Sequence, residues 1–408
     1  MRNMSRPPGE LAGQRRRRRR ARGFSLVLAA AALVIALVAA GCGGSEKKSG
    51  SGGTIKVGLL WPFNGFASNY GPDGKAGVEL ALKQAGMEVG DKKIQLVTAN
   101  ENVLDPSQTL QAAKKLVQQD GAEVVLGPVF GSSQQAVGRY FASRKVLSIV
   151  PYTATRELAQ TGTYVSWPSL DTNFATPLGG YLYDKLGYRR IATLAPDYVY
   201  GKNLIEGAVK SFVAAGGKVA QSQKVPLGTT DLLPYASHLS RNVDALVMWL
   251  VPQDAASFVK AYKSLRIKVP LIMINGIFDP TFQEIGSQVE GTLGLMDWSL
   301  GIKNAENTKF VSEFRKANND TAPNNNNAAA FANAQIMLAA LEKSGGSTNV
   351  DELRKALQSI EVQTPYGPAK FDKLLAGVTS RTVVKATRES DGHYVWAPVE
   401  TFDFVPGS

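Results

Sequence analysis

Among 408 residues there are two histidines, His238 and His393, and one cysteine, Cys42. Neither histidine sits at metal-ligand spacing from a second donor, so no metal centre is expected. Nucleophilic catalysis needs a base beside its nucleophile, and neither histidine is placed to serve. Gly131-Ser132-Ser133 lacks the second glycine of a nucleophile elbow. Gly71-Pro72-Asp73-Gly74-Lys75 lacks the spacing of a phosphate loop. The chemistry within reach is recognition rather than turnover, with no cofactor. Aromatic and hydroxyl side chains gather in short loops that can supply it. Trp61, Phe63, Phe66 and Tyr70 share one loop. Phe130, Ser132 and Ser133 stand just before or in a predicted helix, whose first N–H groups attract a carboxylate or another anion. The same serines could instead cap that helix. Tyr152, Thr153, Ala154 and Thr155 form a third cluster. Tyr200, Trp249, Asn275 and Asp279 complete the set.

Each cluster follows an apolar, β-branched run. Thr54–Leu60, Ile94–Val97, Ala122–Leu126 and Val146–Val150 read as strands. Between them lie helical stretches, one with Val78, Ala81, Leu82 and Ala85 on a single face. Another opens at Asp105-Pro106, an N-cap and a first-turn proline, and Gly121 closes it. The rhythm restarts with strands at Arg190–Leu194, Lys218–Val225, Asp244–Met248 and Leu271–Ile274. Strands alternating with helices predict parallel sheets covered on both faces. The expected fold is α/β, with two Rossmann-like doubly wound parallel-sheet domains joined by a multi-strand hinge. Ser166–Thr176 is the first expected crossover. The C-terminal third reads as helices at Asn307–Ala317, Ala328–Lys343 and Asp351–Gln358, then hairpin-like strands, shared between the domains. Asn324–Asn327 is expected to open the second of those helices. The expected boundaries are 54–170 with about 299–358 for one lobe, and 171–298 with about 359–402 for the other. In open parallel sheets ligands bind beyond the carboxyl ends of strands, where all of these loops fall.

The first 53 residues are of another kind. Arg15–Arg20 precede an apolar run from Phe24 to Ala40, and small residues lead to Cys42. A charged start, a short apolar core and a small-residue site describe an export signal, here 1–41. Ala39-Ala40-Gly41-Cys42 resembles the bacterial lipobox, after which the cysteine becomes the lipidated N-terminus. An uncleaved anchor is the alternative, since the apolar run nearly reaches spanning length. Residues 42–53, rich in Gly, Ser and Lys, read as a flexible tether of about 18 Å. The formal charge of +12 also comes largely from the signal. Without its nine arginines and one glutamate, 37 basic and 33 acidic residues remain. That near balance gives no case for nucleic acid.

In order and separation, the Trp61–Gly71 loop, Gly127–Ser133, Pro151–Thr155, Tyr200-Gly201 and Asn275–Asp279 resemble the Leu/Ile/Val-type family of type I periplasmic binding proteins. These are extracytoplasmic solute receptors of ABC importers. The resemblance spans nearly all of the chain after Thr54. It implies a monomeric clamshell that delivers a small solute to an ABC permease, held at the membrane through lipidated Cys42. It also implies roles by position. Tyr70 covers the ligand body, Ser133 holds a carboxylate, the Tyr152–Ala154 loop offers a carbonyl and a hydroxyl, and Tyr200 reaches across. Two positions depart from the pattern. Ala154 stands where a threonine is usual, and Gly276 falls where amino-acid binders carry an acid for the ammonium. Asp279 is the nearest acid and could instead cap the helix after Pro280. A cleft rich in aromatics and poor in acid suits an amino acid, an aromatic or other apolar carboxylate, or an amide. A ligand sensor or a lipid-anchored hydrolase on the same frame are the rival readings.

Overall fold

The computed structural model describes residues 52–408. The export signal, Cys42 and most of the tether lie outside the described residues. Fifteen strands are described. The first six are β1 (Thr54–Trp61), β2 (Glu88–Val89), β3 (Lys92–Asn100), β4 (Val124–Leu126), β5 (Leu147–Val150) and β6 (Tyr164–Ser166). They form one sheet in the order β2-β3-β1-β4-β5-β6, parallel except for the short edge strand β2. Val57, Leu59, Leu60 and Trp61 are all fully buried, as expected for a strand covered by helices on both faces.

The other nine are β7 (Arg190–Pro196), β8 (Lys218–Val225), β9 (Ala245–Met248), β10 (Leu271–Ile274), β11 (Leu293–Met296), β12 (Val362–Thr364), β13 (Gly367–Phe371), β14 (Gly377–Arg388) and β15 (Tyr394–Val405). Strands β8-β7-β9-β10-β11 run parallel, and β14 joins them antiparallel beside β11. β15 pairs with β14, and the β12–β13 hairpin continues that edge.

The α/β class with two doubly wound sheets is therefore as expected. Among the elements that went unanticipated are the strands β6 and β11. The two strands hold three and four residues, too few to display a period. The hairpin strands β14 and β15 run to twelve residues each, longer than their apolar cores suggested. Between the sheets, Ser166 at the end of β6 bridges to Ala376 just before β14. Leu170 N–H donates to Gly407 O at 2.8 Å. The crossover is thus tied to C-terminal backbone, so strands of both sheets meet in the hinge.

The C-terminal helix Asn325–Lys343 packs lengthwise on the helix Tyr70–Gln84. Its start carries the asparagine run. Asn324 accepts from the N–H groups of Asn326 and Asn327, and the Asn327 side chain closes a capping box. Asn324 Nδ2 and Asn326 Nδ2 both donate to Asp73 Oδ2, at 2.9 and 3.0 Å. Asn327 Nδ2 donates to the Asp73 carbonyl at 2.8 Å. A run that reads as low complexity is a polar clamp between distant parts of the chain.

Gly77 lies in the seam of this helix pair. A Cβ there would stand 2.2 Å from the Asn327 carbonyl oxygen, a backbone atom held by the capping box. On an open helix face Gly→Ala gains up to about 1 kcal/mol. Here the clash reverses the sign, and overpacking of this kind costs about 1–3 kcal/mol. Gly77→Ala is therefore expected to lower the midpoint of urea unfolding, and an unchanged or raised midpoint would contradict the seam.

Candidate functional site

The carboxyl ends of both sheets face one gap, which holds a cavity of about 450 Å³. Tyr70, Phe130 and Tyr152 line it from the first lobe, and Tyr198, Tyr200, Trp249 and Phe278 from the second, with Asn275 and Gly276 beside them. Tyr70 lies 5.7 Å from Phe130 between ring centroids. Tyr200 meets Trp249 edge-on at 4.9 Å, and Tyr198 adds its ring at 6.0 Å. The lobes touch across the mouth, where Gln253 Nε2 donates to Asn69 Oδ1 at 3.4 Å. Gly131 approaches Tyr200 so closely that a Cβ would sit 3.4 Å from the Tyr200 Cβ.

The expected residues divide on inspection. Tyr70, Phe130, Tyr152, Tyr200, Trp249 and Asn275 lie in the cavity wall. Trp61 does not; its indole is fully buried against Gly74 and Gly127 and belongs to the first lobe's core. Phe63 packs over Gly71. Thr155 caps the short helix Arg156–Ala159 through Leu158 N–H, and Ala154 bridges to Leu170. Thr153 is buried, with no partner for its hydroxyl. Asp279 lies outside the main cavity: it lines a second one of about 340 Å³ and accepts from Gln283 Nε2 at 2.9 Å. It is thus held by its own helix rather than facing the aromatic walls.

The helix Gly131–Arg144 does start beside the cavity, with Phe130 as N-cap and no side-chain cap. Ser132 is therefore not the cap, and its hydroxyl has no partner. Glu101, absent from the sequence reading, reaches this helix start from the loop after β3. It is fully buried and accepts from Val129 N–H at 2.7 Å and Phe130 N–H at 2.8 Å. The Ser133 hydroxyl approaches the same carboxylate, short of ordinary hydrogen-bond geometry. Burial pushes Glu101 up to about 7, against the lowering effect of these donors. A carboxylate of the chain itself thus takes the donors leading into the helix.

Two further charged groups stand where β11 and β14 pair, next to the Asn275 turn, though neither lines the cavity. Asp297 follows β11, beside the Asn275 turn, and Arg381 lies within β14. Both are buried. Burial lifts Asp297 to about 6, with Arg381 pulling it back. Burial lowers Arg381 to about 10, with Asp297, Tyr200 and Tyr366 raising it. The Asp297 charge also acts on the hydroxyls of Tyr152 and Tyr200. Among the described residues that line the cavity there is no Asp or Glu. An acid is present one strand further along than the Gly276 position. No period or motif marked it, because strand order alone brings it there. Tyr152 is also fixed from afar: its hydroxyl donates to Asn326 Oδ1 at 2.7 Å.

Among the described residues no cluster of three or more His, Cys, Asp or Glu could hold a metal ion. No helix among them is long and apolar enough to cross a membrane.

Residues 54–386 match the periplasmic binding protein family, and the chain belongs to that family. It is a solute-binding protein rather than an enzyme. It is 26% identical over 358 residues to a Leu/Ile/Val-binding protein homolog of Brucella suis, covering 86% of this chain and 92% of that one. A solute-binding protein of an ABC transporter from Rhodopseudomonas palustris, solved with 4-hydroxybenzoate, is similar in structure, with a TM-score of 0.80 and 23% identity over 87% of this chain and 98% of its own. The branched-chain amino acid transporter substrate binding protein LivJ of Streptococcus pneumoniae, solved with isoleucine, gives a TM-score of 0.73 at 18% identity, covering 85% and 99%.

Glu101 generates a test of this geometry. Its folded-state pKa is raised from 4.5 to about 7, so the folded protein keeps a proton that the unfolded chain has released. The stability linked to that proton is fully present below pH 4.5 and lost as pH rises through about 7. Glu101→Gln is expected to remove this slope. The difference from wild type in urea-unfolding free energy should change by on the order of a few kcal/mol across that window. Parallel profiles for the two proteins would mean that the carboxyl is not buried against these N–H groups.

Proposed function

We propose that this protein is the solute receptor of an ABC importer and that its interlobe cleft binds a small carboxylate, such as a branched-chain or other amino acid. The observation that carries the reading is the 450 Å³ cavity walled by aromatic rings from both lobes. Such walls offer apolar area and ring faces to a compact ligand body, each ring pair adding about 0.5–1.5 kcal/mol beyond area burial. An aromatic carboxylate is the second reading, favoured by seven aromatic side chains around one cavity. The similarity to a receptor solved with 4-hydroxybenzoate supports it too. The lobes proposed to close on the ligand are 54–170 with about 299–358, and 171–298 with about 359–402.

A ligand that binds only the folded form stabilises it, by about 2.7 kcal/mol at a hundred times its Kd. A thermal-shift panel of leucine, isoleucine, phenylalanine, benzoate, 4-hydroxybenzoate and the matched amides is expected to show a rise with at least one carboxylate. Its amide should give none. A panel in which no carboxylate shifts the melting temperature would refute this reading. Trp249→Ala should weaken the binding of any carboxylate found by roughly tenfold. An affinity unchanged by that substitution would move the site elsewhere.

We further propose that Cys42 is the mature, lipid-bearing N-terminus and that residues 42–53 tether the receptor to the outer face of a membrane. The residues supporting this are the arginine block, the apolar run and the small residues before Cys42. Cys42→Ala is expected to leave the precursor unprocessed or to release the protein from the membrane fraction. A processed, membrane-bound Cys42→Ala protein would exclude the lipid anchor.

A further inference from the structure

Arg381 is fully buried, and the protein satisfies only one of its terminal nitrogens. Nη1 donates to the carbonyls of Ser380 at 2.9 Å and Thr379 at 3.4 Å. Nε and Nη2 have no partner among the protein's groups. Those two nitrogens share one edge of the guanidinium, the edge that pairs with both oxygens of a carboxylate. The plane is held in place, since the guanidinium carbon lies 4.8 Å from the Phe174 ring centroid. Asp297, the nearest acid named by their mutual electrostatics, does not fill that edge. Its oxygens have no partner of ordinary hydrogen-bond geometry, although the N–H groups of Asp297 and Trp298 come close enough to pull its pKa down.

Buried charges that neither touch nor hydrogen-bond are costly, at several kcal/mol per ion. Buried groups left in this state point to a ligand or to chemistry. Catalysis is excluded by the family, which leaves a ligand. The position fits. Asp297 follows directly on β11, and Leu295 of that strand accepts from Asn275 N–H at 2.8 Å, in the cavity wall. Asp297 acts electrostatically on Tyr152 and Tyr200, and Tyr200 in turn acts on Arg381. Meanwhile the N–H groups before the helix Gly131–Arg144 are occupied by Glu101. A solute carboxylate at that helix start would be left the first-turn N–H groups and the hydroxyls of Ser132 and Ser133, beside Glu101.

We infer that the hinge end of the cleft is the polar subsite, where the free edge of Arg381 takes the solute carboxylate and Asp297 takes a hydrogen-bond donor borne by the same solute. The inference rests on the carboxylate reading above and narrows it. The solute class is a small acid with an ammonium or hydroxyl near its carboxylate and an apolar body that lies between the aromatic walls. Carboxylate and ammonium then neutralise the two buried charges in one step, and lobe closure around the hinge follows from that neutralisation.

The test uses calorimetry on the wild-type protein with two matched series. One is phenylalanine, 3-phenyllactate, 3-phenylpropanoate and phenylalaninamide. The other is leucine, 2-hydroxy-4-methylpentanoate, 4-methylpentanoate and leucinamide. The expected order in at least one series is amino or hydroxy acid tightest, the plain acid at least tenfold weaker, and the amide weakest. Arg381→Gln should weaken the tightest acid at least thirtyfold, and Arg381→Lys should recover part of that loss. Asp297→Asn should weaken the amino acid about tenfold while leaving the plain acid as tight or tighter. Far-ultraviolet circular dichroism and ligand-free melting temperature confirm that each variant is folded. Should Arg381→Gln fail to fold, the wild-type series still decides. If the plain acid or the amide binds as tightly as the amino and hydroxy acids, the inference falls while the carboxylate or solute-binding reading stands. Binding unaffected by Arg381→Gln has the same consequence. If no member of either series binds, this inference falls, and the carboxylate reading is decided separately by benzoate and 4-hydroxybenzoate.

Discussion

A parallel strand can be followed by another parallel strand only if the chain crosses back over the sheet, and that constraint organises this protein. Every crossover helix returns the chain to the same end, so every strand delivers its next loop to the same edge. β1, β4 and β5 deliver Tyr70, Phe130 and Tyr152, while β7, β9 and β10 deliver Tyr200, Trp249 and Asn275. Two such edges face each other because C-terminal strands and the Ser166–Ala376 bridge hold the sheets edge to edge at the hinge. An aromatic chamber follows from topology before any single contact is counted.

The chamber's polar groups are more expensive, and the fold treats them in two ways. Glu101 is buried but satisfied, accepting two backbone N–H bonds that few other groups could reach. Asp73 is likewise engaged, holding the asparagine run that in turn fixes Tyr152. These networks are structural, since they position walls. Asp297 and Arg381 differ from Glu101 and Asp73 in keeping donors and acceptors unspent. A side chain whose hydrogen bonds are complete can only position others, whereas an incomplete one can still bind. The hydroxyls of Ser132 and Ser133 at the helix start share that property, so both ends of the cleft keep polar groups that can still bind.

Much of this protein was legible in its residues. The alternation of β-branched runs with amphipathic stretches marked the α/β class, and loops after strands marked six of the side chains that line the cavity. Trp61 misled because a large aromatic next to a glycine-rich turn reads the same whether it faces a ligand or a core, and Gly74 and Gly127 made room for it in the core. Asp279 read equally as a ligand acid or as a partner of the helix after Pro280, and its hydrogen bond from Gln283 favours the second.

By itself the sequence determined what is local: strand and helix periods, the Asp105 cap and the loops that follow each strand. Such features depend on residues a few positions apart, and their physics is contained in short segments. Only the tertiary structure decided which charged groups are buried and with whom. Glu101 meets the Val129–Phe130 backbone 28 residues later in the chain, and the asparagine run meets Asp73 more than 250 residues away. Arg381 and Asp297 come together through the pairing of β14 with β11. An ionised side chain reads as a surface residue until the fold removes its water, and that removal is a property of the packed whole.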